Sequence, residues 1–478
     1  MAVSFLFMKI RINLPIDMSG VLGILMPLLV LQGCAVYQAK PLDEHAVSQA
    51  LASPDLGSVR VKAEEIKHPI LKPRLIDFSK GISAQDAAII AVIANPAIRA
   101  ERDRRGIAEA QLLQAGVLPN PTFSYNLAVP TGGNTGGTVN AYGLGLDWSI
   151  IKPLLTRGAE TDAARAQAAS VDLDVAWHEW QAAQAAKQHV YGVLYLEKQL
   201  AVAQRDEVRL KENLEAIKKA VHMGDMTIIE LDAANAALSR IHSIVLDIEK
   251  KLKQERLALN LALGFPPDSI IPLSKDMQLP SFENIPSLEE IMKGLEVRRL
   301  DLLALKLGYQ SREESLRAAV RAQFPEINIG LSHARDTSNV ATTGFSVSIS
   351  LPFFDRNQGR IAIETASRQK LYDEYLDRVY RARADAARIL ADIGSVEEQE
   401  DSAEKAVESL EKLVEISYSG FLEGNVDILS YYNELDRLFS ARLEVLKIEH
   451  DLSGLYVALE ITSGEFLARA GNKKEAPR

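Results

Sequence analysis

Four short stretches of the chain alternate apolar and polar residues one for one. In the clearest, Phe345, Val347, Ile349 and Leu351 fall on one side, and Ser346, Ser348 and Ser350 on the other. Successive side chains of a strand point to opposite faces, so this pattern predicts a strand with one apolar and one wet face. Pro352 then removes a ladder donor and ends the pairing. Earlier, Phe123, Tyr125, Leu127 and Val129 alternate with Thr122, Ser124, Asn126 and Ala128. After the turn-rich stretch Pro130–Thr138, Tyr142, Leu144, Leu146, Trp148 and Ile150 alternate with Ala141, Gly143, Gly145, Asp147 and Ser149. The fourth stretch sets Ile327, Ile329 and Leu331 against Asn328, Gly330 and Ser332. The first hairpin's strands are each about 10 residues long, which crosses a hydrocarbon core when tilted. Tyr142 and Trp148 are placed to serve as interface aromatics.

Between and after these strands the period changes to that of helices. Ser83 opens one as an N-cap. Asn95-Pro96 breaks it, and a second helix runs to Gly116 before the stop Leu118-Pro119-Asn120-Pro121. From Gly158 to Met223 there is no proline and one internal glycine, Gly192. A helix of that length reaches about 100 Å, more than a compact domain needs, so it projects. Near its end Leu210, Leu214, Ile217 and Val221 take coiled-coil spacing. Gly224-Asp225 turns the chain into a returning helix that ends at Gly264-Phe265-Pro266-Pro267. The second half repeats the order. Short helices over 287–323, interrupted near Arg298–Asp301, lead to the second strand pair. A long helix then runs from Gln358 to Tyr418, Gly424 turns it, and a last helix runs to Ala468.

The repeat is exact enough to number. Gly224 and Gly424 are 200 positions apart. At the same shift Leu238, Ile241, Val245, Ile248, Leu252 and Leu259 meet Leu438, Ala441, Val445, Ile448, Leu452 and Leu459. These are alternating a and d positions of a heptad, so both returning helices present one seam. Glu255 opposite Leu455 departs from it. The predicted segments are a leader over 1–33, a linker over 34–80, one repeat over 81–270, a second over 271–470, and a polar tail over 471–478. The 34–80 stretch, with Pro41, Pro54, Pro69 and Pro73, has little periodicity and is expected to be extended.

Composition changes the picture in two places. A net charge of -10, with basic residues scattered among acids, argues against a nucleic-acid partner. The single cysteine, Cys34, excludes an intrachain disulfide. It follows Lys9 and Arg11 and the apolar run Val21–Leu31, in the sequence Leu31-Gln32-Gly33-Cys34. That arrangement resembles a bacterial lipobox, in which the cysteine becomes the acylated first residue, and Ala35 in second place resembles sorting to the outer membrane. The alternative is an ordinary signal peptide with an incidental cysteine. No later apolar run approaches the roughly 20 residues of a spanning helix.

Two hairpins do not close a barrel, and an open sheet cannot sit in lipid with unpaired edges. If the apolar faces meet lipid, neighbouring copies must supply the missing strands. The alternative is a soluble sandwich core fed by long helices. The order helix, two strands, long helix, turn, helix, repeated once, resembles the TolC-type outer-membrane efflux family over residues 80–468. The stretches Leu351-Pro352-Phe353-Phe354-Asp355-Arg356-Asn357-Gln358-Gly359-Arg360 and Leu118-Pro119-Asn120-Pro121 resemble its heavy-metal, CzcC-type branch. The resemblance implies a mainly α fold with a small β part. It implies a homotrimer whose long antiparallel α-helical barrel crosses the periplasm below a β-barrel of roughly 12 strands, four from each chain. It implies a passive efflux duct meeting outer-membrane lipid, a periplasmic adaptor and an inner-membrane RND-type pump, for heavy-metal cations or drugs. The alternatives are a type I protein-secretion duct and a lipid-anchored periplasmic coiled-coil scaffold with no pore.

No catalytic constellation is legible: there is no G-x-S-x-G, P-loop or H-E-x-x-H. The eight histidines are spread along the chain, and His178 and His189, about 16 Å apart along one helix, read as solvated positions. No cofactor or resident metal is expected. The helix turns are the better candidates. His222, Asp225 and Glu230 flank one; Tyr418, Glu423 and Asp427 flank the other. In a trimer each acid becomes a ring of three, which attracts cations and resists closure by like-charge repulsion. The resemblance places the closed periplasmic aperture at this end and matches Asp427 to an aspartate of the family's gate motif. Capping of the following helix is the competing role for Asp225 and Glu423. Asp355 and Arg356 read as a local pair or cap.

Overall fold

The computed structural model describes residues 35–275, 277–280 and 285–467. Cys34, the leader and the polar tail lie outside the described residues. The chain divides into two units, 1–52 and 53–478. In the first, α1 (Glu44–Ala50) is capped by Asp43, whose side chain accepts from the Ala46 amide, and none of its residues is buried.

The second unit opens with α2 (Leu56–Glu64), so the expected extended linker is in part helical. Val59, Ala63, Leu71 and Ile76 are buried, at spacings too irregular to register as a period. Ser83 caps α3 (Ala84–Ala94) through a reciprocal pair with Asp86. Asn95 ends it, and Pro96 starts α4 (Pro96–Ala115) at the position where a missing N–H costs nothing. Strands β1 (Thr122–Ala128) and β2 (Ala141–Trp148) follow.

Helix α5 (Ile151–Met223) has 73 residues and begins seven before the expected start. Pro153 is accommodated because first-turn amides have no intrahelical acceptor. Helix α6 (Ile228–Leu263) returns. In the second repeat α7 (Leu288–Met292), α8 (Leu295–Arg298) and α9 (Leu300–Arg321) precede β3 (Ile327–Arg335) and β4 (Ala341–Ile349). The long helix α10 (Gln358–Leu422) and the returning α11 (Ile428–Ser463) complete it. The last helix stops before the expected Ala468, because Gly464 takes a left-handed φ of 73° and donates its amide to the Glu460 carbonyl.

The core lies between helices. Short helices α2 and α3 pack with α5 and α6 around Ile90, Val190 and Leu263. Equivalent helices α7, α8 and α9 pack with α10 and α11 around Leu295, Ile393 and Leu459. Towards the helix turns, Leu210, Leu214 and Ile217 of α5 meet Ile241, Val245 and Ile248 of α6 and Tyr431, Leu438 and Phe439 of α11. The shared seam is therefore real, although Ala441 and Val445 are only half-buried. Glu255 departs from it for a reason: it accepts or shares a proton with His189 Nδ1 at 2.8 Å and lies over Gly192, which has no side chain to obstruct it. His189 is thus half-buried and paired rather than solvated, and His178 is also half-buried, 3.9 Å from Asp174.

Candidate functional site

The four strands form one antiparallel sheet in the order β1-β2-β3-β4. The two hairpins are joined through β2 and β3, and β1 and β4 are edges. Register places Phe123, Leu146, Leu331 and Phe345 in one row across all four strands. Trp148, Ile329 and Val347 make the next row towards the helices. Towards the loops the same face carries Tyr125, Leu144, His333 and Thr343, then Leu127, Tyr142, Arg335 and Ala341. The Arg335 guanidinium sits 5.0 Å over the Tyr142 ring. At the other end of β2, Trp148 Nε1 donates to the Pro119 carbonyl at 2.8 Å. The two aromatics thus lie towards opposite ends of the apolar face, with the Ile327–Ile349 pair beyond Trp148.

No strand side chain belongs to any of the four helical cores. Phe345 is 68% exposed and Phe123 60%. Burying each such side chain is worth about 1.5–3 kcal/mol, so a face of ten or more is not stable against water. The opposite face carries Ser124, Asn126, Ser332, Thr342 and Ser346, with Asp147 as its charged side chain. Among the described residues the sheet has no second sheet packed on it. Among the described residues no helix is long and apolar enough to cross a membrane.

At the far ends of the long helices both turns use one device. Gly224 has φ 84°; its amide donates to the Val221 carbonyl, and the Asp225 amide reaches Ala220. Gly424 has φ 74°; its amide donates to Phe421, and that of Asn425 reaches Gly420. Both are Schellman closures, which need a left-handed residue and so select glycine. Three positions after each glycine, the returning helix is capped. Glu230 accepts from the Thr227 amide at 2.6 Å. Asp427 accepts from the Ser430 amide at 2.9 Å and from its hydroxyl at 2.6 Å. These bonds, the Ser430 hydroxyl first, hold the Asp427 carboxyl below the usual aspartate range.

The four candidate acids thus divide. Glu230 and Asp427 shape helix starts. Glu423 accepts from the Asn425 side chain at 3.1 Å, and Asp225 lies exposed on the turn itself. His222 is exposed in the last turn of α5. At the sheet-to-helix junction Asp355 accepts from the Asn357 amide at 2.8 Å, a local turn contact, and Arg356 Nε donates to the Pro352 carbonyl.

One turn past Asp427 lies a feature that the strand and heptad patterns did not single out. Tyr431 is 2% exposed, with Tyr418, Phe421 and Tyr432 rings 5.5, 6.1 and 5.7 Å away. Burial pushes the Tyr432 hydroxyl up to about 12. Beside it a cavity of about 270 Å³ opens between α5, α6 and α11, lined by Asp206, Arg209, Arg240, Tyr432 and Asp436. Arg240 of α6 forms an ion pair with Asp436 of α11. Burial raises the Asp206 carboxyl against the opposing pull of Arg442, Arg209 and Arg205. The Tyr431-Tyr432 dipeptide was the available signal.

With this geometry in place, residues 292–464 match the family model described as outer membrane efflux protein. The second repeat carries an outer membrane efflux protein domain. The chain is 22% identical over 262 residues to the cation efflux system protein CusC of Escherichia coli, covering 53% of this chain and 56% of that one. It is 28% identical over 179 residues to the cobalt-zinc-cadmium resistance protein CzcC of Cupriavidus metallidurans, covering 36% and 41%. The chain spans about half the length of the curated relatives it matches. Among solved structures, CusC superposes with a TM-score of 0.69 at 18% identity, over 86% of this chain and 99% of that chain. The outer-membrane channel OprN gives 0.69 at 16%, over 90% and 99%. The outer membrane efflux protein domain therefore sits in a chain whose whole fold is that of these channels, mainly helical with four strands.

Proposed function

We propose that the chain is the outer-membrane channel subunit of a tripartite efflux system. Three copies close the sheet into a barrel in the outer membrane, anchored by an acylated Cys34, and their helices form the duct through the periplasm. The duct is passive. Flow comes from an inner-membrane RND-type pump joined through a periplasmic adaptor, and the cargo is a heavy-metal cation, a reading supported by likeness to a cation efflux protein, CusC, and a cobalt-zinc-cadmium resistance protein, CzcC.

The observation that carries this reading is the sheet. Its apolar face is left out of every helical core and both of its edges are unpaired. Closing such a sheet with further copies removes the edges and gives lipid the apolar face. The wet face then lines a lumen. At the helix turns, Asp225 and Glu423 supply rings of negative charge that favour cations, while Glu230 and Asp427 fix the turns that carry them. The Arg240–Asp436 pair holds α6 against α11 near that end.

Planar-bilayer recording tests this. The purified protein is expected to give discrete conductance steps, and Arg240→Ala, which frees α6 from α11, is expected to raise the open conductance several-fold. Silent membranes with both proteins would refute the duct and favour a scaffold.

A further inference from the structure

A cavity of about 360 Å³ lies far from both the sheet and the turns, between the end of α2, the chain after it, α3, α4 and α5. Five cations line it, Lys62, Lys67, Arg99, Arg102 and Arg105, against one carboxylate, Glu179. That balance stands out in a chain whose net charge is -10.

Glu179 is 3% exposed and forms the floor. It receives Arg102 Nε at 2.5 Å and lies 3.5 Å from Arg105 Nη2. Arg105 Nε is 2.7 Å from the Asp172 carboxylate. His68 does not add a ligand. Its Nδ1 accepts from the Ile70 and Leu71 amides, each at 3.0 Å, so Nε2–H donates to the Ala176 carbonyl at 2.9 Å. The imidazole is a bolt that pins the segment after α2 onto α5, which brings Lys62 and Lys67 to the rim. Among the described residues, Lys62, Lys67 and Arg99 meet no acid within ion-pair distance.

Like charges gathered in excess of their counter-charges repel one another, and an anion relieves that repulsion. We propose that this pocket binds a soluble multivalent oxyanion, with Arg99, Lys62 and Lys67 contacting it and Glu179 holding Arg102 and Arg105 in place. Arginine forks and lysine points suit phosphate and carboxylate groups alike, and the volume admits a small molecule carrying several such groups. Glu179 lies roughly 40 Å along α5 from the end of β2. A lipid headgroup at the sheet's end does not reach it, which selects a soluble anion. The pocket itself does not depend on the duct reading; only this choice of source does.

Titration calorimetry on the full-length protein in detergent, at constant ionic strength, is the test, with pyrophosphate and citrate as probes. Saturable binding of either is expected. Lys67→Glu and Arg99→Glu, at exposed positions, should each weaken it about tenfold, while Lys219→Glu, distant on α5, leaves it unchanged. No saturable binding, or binding indifferent to the two pocket variants, overturns the proposal. So does capture by phosphatidylglycerol vesicles that depends on Lys67 and Arg99 when neither soluble probe binds.

Discussion

The Asp427 carboxylate closes the first turn of α11 through Ser430; in the duct proposed above, three copies of it would also place negative charge at the aperture. The ionised form is the one these bonds stabilise. A carboxyl lowered by folding lends stability that is present above the ordinary aspartate range and is lost as pH falls through the lower folded value. Asp427→Ala is expected to speed amide exchange in the first turn of α11 several-fold near neutral pH, with the difference from wild type vanishing in strong acid. Buried charge gives a larger effect. Lys187 and Glu460 pair between α5 and α11 with side chains 3% and 5% exposed. Glu460 also accepts from the Leu467 amide at 3.2 Å, and Lys187 lies 5.2 Å from the Phe466 ring, so the pair holds the chain after α11. Glu460→Gln removes the counter-charge and should destabilise the helical unit by about 3–5 kcal/mol in denaturant unfolding.

At the scale of elements, the two faces of the sheet make opposite forecasts. Leu331 points to the apolar face and Ser332 to the wet one. Leu331→Arg should cost about 2–4 kcal/mol when the protein is unfolded by urea from lipid vesicles, as an arginine facing mid-bilayer does. Ser332→Arg, one residue on, should change that stability little and alter conductance instead. This alternation was legible because period two survives in isolation. Helix turns were legible too, since Gly224 and Gly424 mark the left-handed closures that other residues resist. The pairing of β2 with β3 was not, because some 180 residues separate them and no turn chemistry announces the contact. Nor was the folding of the chain after Ser53. Val59, Ala63, Leu71 and Ile76 become core at irregular intervals, and His68 is fixed by amides that only the folded chain brings near. The His189–Glu255 pair and the Tyr431 cluster were hidden for the same reason: each joins different helices.

For the whole molecule, one chain supplies a two-faced ribbon with two open edges, carried on long helices whose buried contacts lie among themselves. In the duct proposed above, identical neighbours arranged about an axis would pair those edges and close a ring. In such a ring antiparallel order would continue through the join, because four alternating strands leave β4 of one copy running opposite to β1 of the next. The native mass of the detergent-purified protein tests this most directly. Three chains per particle is the predicted result, retained when Asp225 and Glu423 are neutralised because the sheet, not the turn, closes the ring. A particle of one chain, stable and folded with its apolar sheet face shielded from detergent, would contradict it.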